Sequence, residues 1–190
     1  MRIGILALQG AFAEHKKMLE NLGAECVELR QANDVIDLDG IVLPGGESTV
    51  QGKLLRELNM FDKIQKLIEQ GLPTLATCAG LVLLADEIVN DDNVYFKTLP
   101  VSIKRNAYGR QLGSFDTVSD FKGIGEFDMK FIRAPYIVDA HGAEVLAEVD
   151  GHIVAVKYNN QLALSFHPEL GEDNRIHKGF LQMVQKYSCQ

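Results

Sequence analysis

The first half of the chain alternates between short continuous apolar runs and longer stretches with apolar residues at helical spacing. Arg2 to Leu8 is such a run, ended by Gln9-Gly10, and predicts a buried strand. Ala11, His15, Met18, Leu19 and Leu22 then share one helical face, with Gly23 placed to end the helix. Glu25 to Leu29 predicts a second strand and Gly40 to Leu43 a third, closed by Pro44-Gly45-Gly46. Helices are expected from Ser48 to Leu58 and from Met60 to Glu69, the second stopped by Gly71-Leu72-Pro73. Thr74 to Thr77 reads as a fourth strand and Leu81 to Ala85 as a buried helix. Strands and helices alternating through this half predict an α/β fold with a mostly parallel sheet and helices on both faces.

From Val94 to Val156 the pattern changes to short strand-like runs broken by glycines. Asp150-Gly151, between Val145–Val149 and Ile153–Val156, is a hairpin signal. Gln161 to Phe166 predicts another strand, and Ile176, Phe180, Met183, Val184 and Tyr187 recur at the spacing of a terminal helix. No repeat or Pro/Ser-rich linker divides the sequence, so one domain over residues 1–190 is expected.

Composition narrows the class. Of the 190 residues 46% are hydrophobic and 24% charged, enough to bury a core without staples. With 26 acidic and 19 basic side chains, a net charge of −7 and no Lys/Arg block, the surface repels phosphate backbones and argues against nucleic-acid binding. The first apolar run is too short for a signal segment or a membrane span, which makes a cytoplasmic location the default expectation. Three cysteines (Cys26, Cys78, Cys189) without CxxC spacing suggest neither a disulfide framework nor a zinc site.

Cys78 differs from the other two. Thr74 to Thr77 leads directly into Cys78-Ala79-Gly80-Leu81, a cysteine between a strand and a helix with small neighbours, Ala76, Ala79 and Gly80, that permit a sharp turn. A helix N-terminus favours the thiolate, and the Ala79 amide would face a developing oxyanion. A buried structural thiol accounts for the residue equally well. Cys26 in an apolar strand and Cys189 at the C-terminus fit that plainer reading better.

Among five histidines, His15, His141, His152 and His177 have bland settings on a helix, near a hairpin or in polar surroundings. His167 stands in Ser165-Phe166-His167-Pro168-Glu169, directly after an apolar strand. Proline favours an extended conformation at His167, and residues two apart on an extended segment share a side, so Glu169 can orient the imidazole. A surface turn is the alternative. Parallel strands deliver their C-terminal ends to one sheet edge, so Cys78 and His167 are expected to converge there.

Leu43-Pro44-Gly45-Gly46-Glu47-Ser48-Thr49 likewise joins a strand to a helix. It lacks the GxxxxGK[ST] pattern, and Glu47 opposes a phosphate, so a second oxyanion donor at Gly46 is the better functional reading beside a plain turn capped by Ser48.

Together these motifs resemble the class I glutamine amidotransferases, and within them the glutaminase subunits of pyridoxal 5′-phosphate synthases. The resemblance spans nearly the whole chain. It rests on Gly4 to Ala11 with Glu14-His15, Leu43 to Thr49, Thr77 to Leu81, Arg105-Asn106 with Tyr108-Gly109-Arg110-Gln111, Phe131 to Pro135, and Ser165 to Leu170. It implies a flavodoxin-like three-layer sandwich and glutamine hydrolysis through a thioester, with Cys78 as nucleophile, His167 as acid and base, and Glu169 as its partner. Glutamine is implied to contact Gly46, Glu47, Ser48, Arg105, Ile132 and Arg133. Ammonia is expected to pass to a (β/α)₈ barrel synthase in a large hetero-oligomer, and this chain to carry no cofactor and no metal. Ala76 stands where many relatives have glycine, and Asp139 to Glu144 looks slightly shortened. A glutaminase serving another acceptor, such as imidazole glycerol phosphate synthase, or a different cysteine hydrolase on the same fold, are the competing readings.

Overall fold

The computed structural model describes residues 1–89, 91–105 and 113–189. The N-terminal half runs β1 (Arg2–Leu6), α1 (Phe12–Asn21), β2 (Glu25–Leu29), β3 (Gly40–Leu43), α2 (Ser48–Glu57), α3 (Phe61–Glu69), β4 (Thr74–Thr77) and α4 (Ala79–Leu84). The rest comprises β5 (Ala85–Ile88), β6 (Leu99–Lys104), β7 (Ser114–Phe121), β8 (Gly125–Ile132), β9 (Tyr136–Asp139), β10 (Glu144–Val149), β11 (His152–Tyr158), β12 (Gln161–Leu164) and α5 (Arg175–Ser188). A 3₁₀ turn, Pro168–Leu170, lies between β12 and α5.

Among the described residues ten strands form one mixed, mostly parallel sheet in the order β2-β1-β3-β4-β12-β11-β9-β6-β5, with β10 added to β11. The strands from β2 to β12 in that order are mutually parallel. The inner strands β1, β3 and β4 are buried at nearly every position because both faces are covered, whereas β2 at the edge is only partly buried. Ile3, Ile5, Val42 and Leu75 point into a core with Leu19 of α1 and Ile176, Phe180 and Val184 of α5. Leu6, Ile41, Leu43 and Ala76 point the other way, toward Leu55 of α2, Ile64 and Ile68 of α3, and Leu81 to Leu84 of α4. The period of two along each strand thus divides one apolar run between two cores, giving three layers.

The glycine-punctuated middle supplies the antiparallel part. Asp150 and Gly151 both have positive φ (51° and 76°), the geometry of a tight hairpin turn between β10 and β11. β7 and β8 form a separate hairpin. Its alternating burial sends Phe127, Met129 and Phe131 into the core beside Phe166. β1 stops at Leu6 rather than Leu8, since the chain turns away once Ala7 N–H has bonded the Leu29 carbonyl.

Candidate active site

β3, β4 and β12 are in register as parallel neighbours, Leu43 beside Ala76 and Thr77 beside Leu164. The residues just past their ends therefore meet at one sheet edge: Gly45 and Gly46 after β3, Cys78 after β4, and Ser165 to Glu169 after β12.

Cys78 sits at that edge with φ 48° and ψ −102°, a region a side-chain-bearing residue occupies at a cost of roughly 1–3 kcal/mol. Its N–H bonds the Leu164 carbonyl, and its own carbonyl accepts from Val82 in the first turn of α4, so sheet and helix hold the strained residue from both sides. Gly80 contributes by contact rather than by flexible backbone: a Cβ there would collide with the Leu43 carbonyl. The sulfur lies 3.9 Å from the Ile132 carbonyl.

His167 is anchored by its N–H to the Lys130 carbonyl of β8, 2.8 Å away. Its ring presents Cε1 to Gly45, where any Cβ would strike it. Nδ1 is 2.7 Å from Glu169 Oε1, and the ring lines the same cleft as Cys78. Glu169 reaches it from the 3₁₀ turn Pro168–Leu170, not along an extended segment as the sequence suggested. Proline at the start of that turn folds the chain back immediately, and the two side chains still meet. Burial opposes the imidazolium, but the adjacent Cys78 and Glu169 outweigh it and raise the His167 pKa to about 10. Glu169 is buried too, which favours its neutral form, yet the adjoining His15 and His167 hold its pKa below the usual carboxylate value.

His15 and His177, read as bland, are instead fully buried. His15 Nε2 lies 3.3 Å from Glu169 Oε2 and 3.1 Å from Thr77 Oγ1, and its Nδ1 is 2.9 Å from His177 Nε2. Thr77 Oγ1 also accepts the Gly45 N–H at 3.1 Å. The available sequence signal was His15 on the apolar face of α1, because a polar group on a buried face requires a partner.

The other expected residues surround an open cleft in front of Cys78. Gly46, Glu47, Ser48, Ala79, Arg105, Arg133 and Pro135 line one part of it. Ile132, His167, Gln9 and Leu170 line the adjoining part. Arg105 donates to Glu47 Oε1 at 3.1 Å and to Asp91 Oδ2 at 3.0 Å. Arg133 has φ 43°, a strained backbone position just past β8. Ser48 does not cap α2. Glu47 does, its carboxylate accepting from the Thr49 N–H, while Ser48 is buried. Gln9 and Gln51, not anticipated from sequence, brace the glycine loop: Gln9 Oε1 accepts the Glu47 N–H at 2.7 Å, and Gln51 Nε2 donates to the Gln9 and Pro44 carbonyls. Asn106, Tyr108, Gly109, Arg110 and Gln111 lie outside the described residues. Among the described residues no His, Cys, Asp or Glu group is arranged to hold a metal, and no helix is long and apolar enough to cross a membrane.

A cysteine on a strand-to-helix elbow thus stands beside a buried His–Glu pair at the edge of a three-layer sheet, the setting the resemblance to glutamine amidotransferases implies. A crystal structure described as a glutamine amidotransferase superposes with a TM-score of 0.91 at 43% identity, covering 96% of this chain and 98% of that one. PurLQS from Thermotoga maritima shares the fold at a TM-score of 0.70 and 18% identity, with 98% of each chain covered. The chain belongs to the SNO glutamine amidotransferase family, which it matches over residues 5–186. It is 60% identical over 186 residues to the pyridoxal 5′-phosphate synthase subunit PdxT of Desulfitobacterium hafniense (strain Y51), covering 97% of this chain and 94% of that protein. The subunit of the same description from Streptococcus pneumoniae (strain ATCC 700669 / Spain 23F-1) is 52% identical over 193 residues, covering 99% and 100%.

Proposed function

We propose that this chain, acting as one domain, hydrolyses L-glutamine to glutamate and ammonia and delivers the ammonia to the synthase subunit of a pyridoxal 5′-phosphate synthase. The observation that carries this reading is the buried His167–Glu169 pair, hydrogen-bonded at 2.7 Å, beside Cys78 at the wall of a cleft with arginines at its rim.

The raised pKa of His167 favours a proton on the imidazole, which places a general acid and base beside the Cys78 sulfur. Thiolate attack on the side-chain amide carbon forms a tetrahedral oxyanion. Backbone N–H groups of Gly46 and Ala79, both at the cleft wall, are the donors proposed to hold it. His167 protonates the departing ammonia, leaving a glutamyl thioester, and then removes a proton from the water that releases glutamate. Glu169 keeps the ring in one tautomer throughout.

Arg105 or Arg133 supplies the planar fork suited to the α-carboxylate, and Glu47 the charge suited to the α-ammonium, with Ser48 and the Ile132 segment shaping the cleft. Free ammonia is protonated in water, so its use requires transfer through a docked partner, for which a barrel-shaped synthase in a hetero-oligomer is the reading adopted. The test is ammonia release from glutamine by the chain with and without a pyridoxal 5′-phosphate synthase barrel subunit. Stimulation by that subunit and loss in Cys78→Ala are expected; stimulation only by an imidazole glycerol phosphate synthase partner would replace the acceptor.

A further inference from the structure

Behind the proposed triad the interior holds two more histidines that the reaction scheme does not use. Glu169 gives one carboxylate oxygen to His167 and turns the other toward His15 Nε2 at 3.3 Å. His15 and His177 are 0% exposed. At this depth every N–H needs an acceptor, and a bare ring nitrogen is better tolerated than a bare N–H.

One proton arrangement satisfies the row. His177 Nδ1 has no hydrogen-bond partner, so it carries the lone pair, and Nε2–H donates to His15 Nδ1. His15 must then bear its proton on Nε2, aimed between Glu169 Oε2 and Thr77 Oγ1. Glu169 Oε1 accepts from His167 Nδ1–H, while Oε2 has no hydrogen-bond partner and lies 3.3 Å from His15 Nε2, whose N–H is the nearest positive group to it. We propose that His15 is a positioning residue, its tautomer set by His177, that keeps Glu169 an ionised, correctly aimed acceptor for His167 and ties it through Thr77 to the Gly45 loop.

Burial lowers the pKa of His15, and it lowers that of His177 to about 3, so both stay neutral in their assigned roles. No proton leaves His15 during turnover; its part is orientation. Thr77 extends the coupling, because the same hydroxyl receives His15 and the Gly45 N–H, adjacent to Gly46. The groups facing this row are Glu14 and His15 from α1, Thr77 and Cys78 from β4 and its end, Glu169 and His167 from the 3₁₀ segment, and His177 from α5. Lys130 of β8 contributes its carbonyl, its ammonium being turned to Asp116 and Asp128.

The inference rests on the proposed glutaminase reading, and wild-type turnover in the complex with the synthase subunit serves as the separate control for that. In the same complex, His15→Leu is expected to lower kcat about tenfold or more with KM for glutamine within about twofold. It is also expected to move the acid limb of the kcat profile to higher pH, since a buried carboxylate that loses a neighbouring N–H protonates more readily. Glutamine places a donor near the Nε2 position, so His15→Gln should restore most of kcat and return the limb. Should His15→Leu fail to fold, His177→Leu takes its place: loss of the donor to His15 predicts the same changes at smaller size. An active wild type with unchanged kcat and limb in the leucine variant, or His15→Gln as impaired as His15→Leu, overturns the proposal. An inactive wild type instead overturns the glutaminase reading.

Discussion

Glu169 and Glu47 are both carboxylates beside cationic or protonatable partners, yet they occupy opposite electrostatic settings. The Glu169 side chain is 0% exposed, fixed between His167 and His15, and all its partners lie inside the sheet edge. The Glu47 side chain is 48% exposed and shares Arg105 with Asp91 at the mouth of the cleft. In the interior each proton has one acceptable position, so a change at one residue propagates along the row. At the rim water competes for every charge, and a guanidinium can exchange one carboxylate for another at little cost. A rigid interior suits acid–base chemistry; an exchangeable rim suits an incoming amino acid.

The strongest way to break this contrast is Glu169→Gln. With its NH₂ toward His167, the amide forces the wrong tautomer on the base. With its NH₂ toward His15, it reverses the row and strands an N–H on His177 Nδ1, which has no partner. Either way kcat in the synthase complex should fall by about a thousandfold while KM changes little, as steady-state ammonia release would show. Activity within tenfold of wild type would mean the interior row does not govern the base.

The second test concerns acid stability. His177 has a folded pKa of about 3 against an ordinary value near 6.5, so its unfolded form binds a proton the native form excludes. Its neutral burial therefore contributes stability above pH 6.5 that is lost as pH falls toward 3. His15 shifts in the same direction. Urea midpoints measured across that window should drop in wild type and drop less steeply in His177→Gln. Parallel curves would place the acid sensitivity elsewhere. His167 has the opposite sign: its pKa is raised to about 10, so the stability of its paired form is complete below pH 6.5 and lost as pH rises through 10.

How much of this contrast was legible in the sequence depends on where the determining forces act. Glu25–Leu29, Gly40–Leu43 and Thr74–Thr77 were read with the observed bounds; the latter two are buried at every position and carry no charge, whereas the edge strand Glu25–Leu29 carries two glutamates and is bounded by its flanking turns. The Asp150-Gly151 hairpin was equally plain, since the turn demands those residues. The insertion of β9 between β11 and β6 was not, as strand order is set by three-dimensional packing rather than local pattern. Cys78 and the His167-Pro168-Glu169 segment stood out by following strands. His15 and His177 did not, because a histidine with a buried partner and one facing water look alike until the helices α1 and α5 are packed together. Glu47 as the cap of α2 was missed for a similar reason: Ser48 has the more usual capping side chain, but it is buried as the first residue of the helix and Glu47 takes the cap position.

At the rim, Arg105→Ala should raise KM for glutamine about tenfold with kcat largely retained, if the guanidinium contributes ground-state binding of the amino acid. Arg105→Lys distinguishes charge from shape: a planar, two-pronged contact predicts that lysine recovers only part of the loss. An unchanged KM in both variants would leave Arg133 as the carboxylate partner.

The smallest expected effect is the stability change in Glu47→Gln. The variant removes one exposed partner of Arg105 but leaves Asp91 at 3.0 Å, and glutamine retains a side-chain oxygen able to accept from the Thr49 N–H. An exposed ion pair contributes about 0–1 kcal/mol, so the urea midpoint should move by no more than that magnitude implies. KM should nonetheless rise, because the cleft loses the negative charge proposed to meet the substrate ammonium. A large stability loss would show that Glu47 is fixed as firmly as Glu169 and that the rim is not exchangeable. A small loss with a raised KM is what separates a residue held for substrate from one held for the fold.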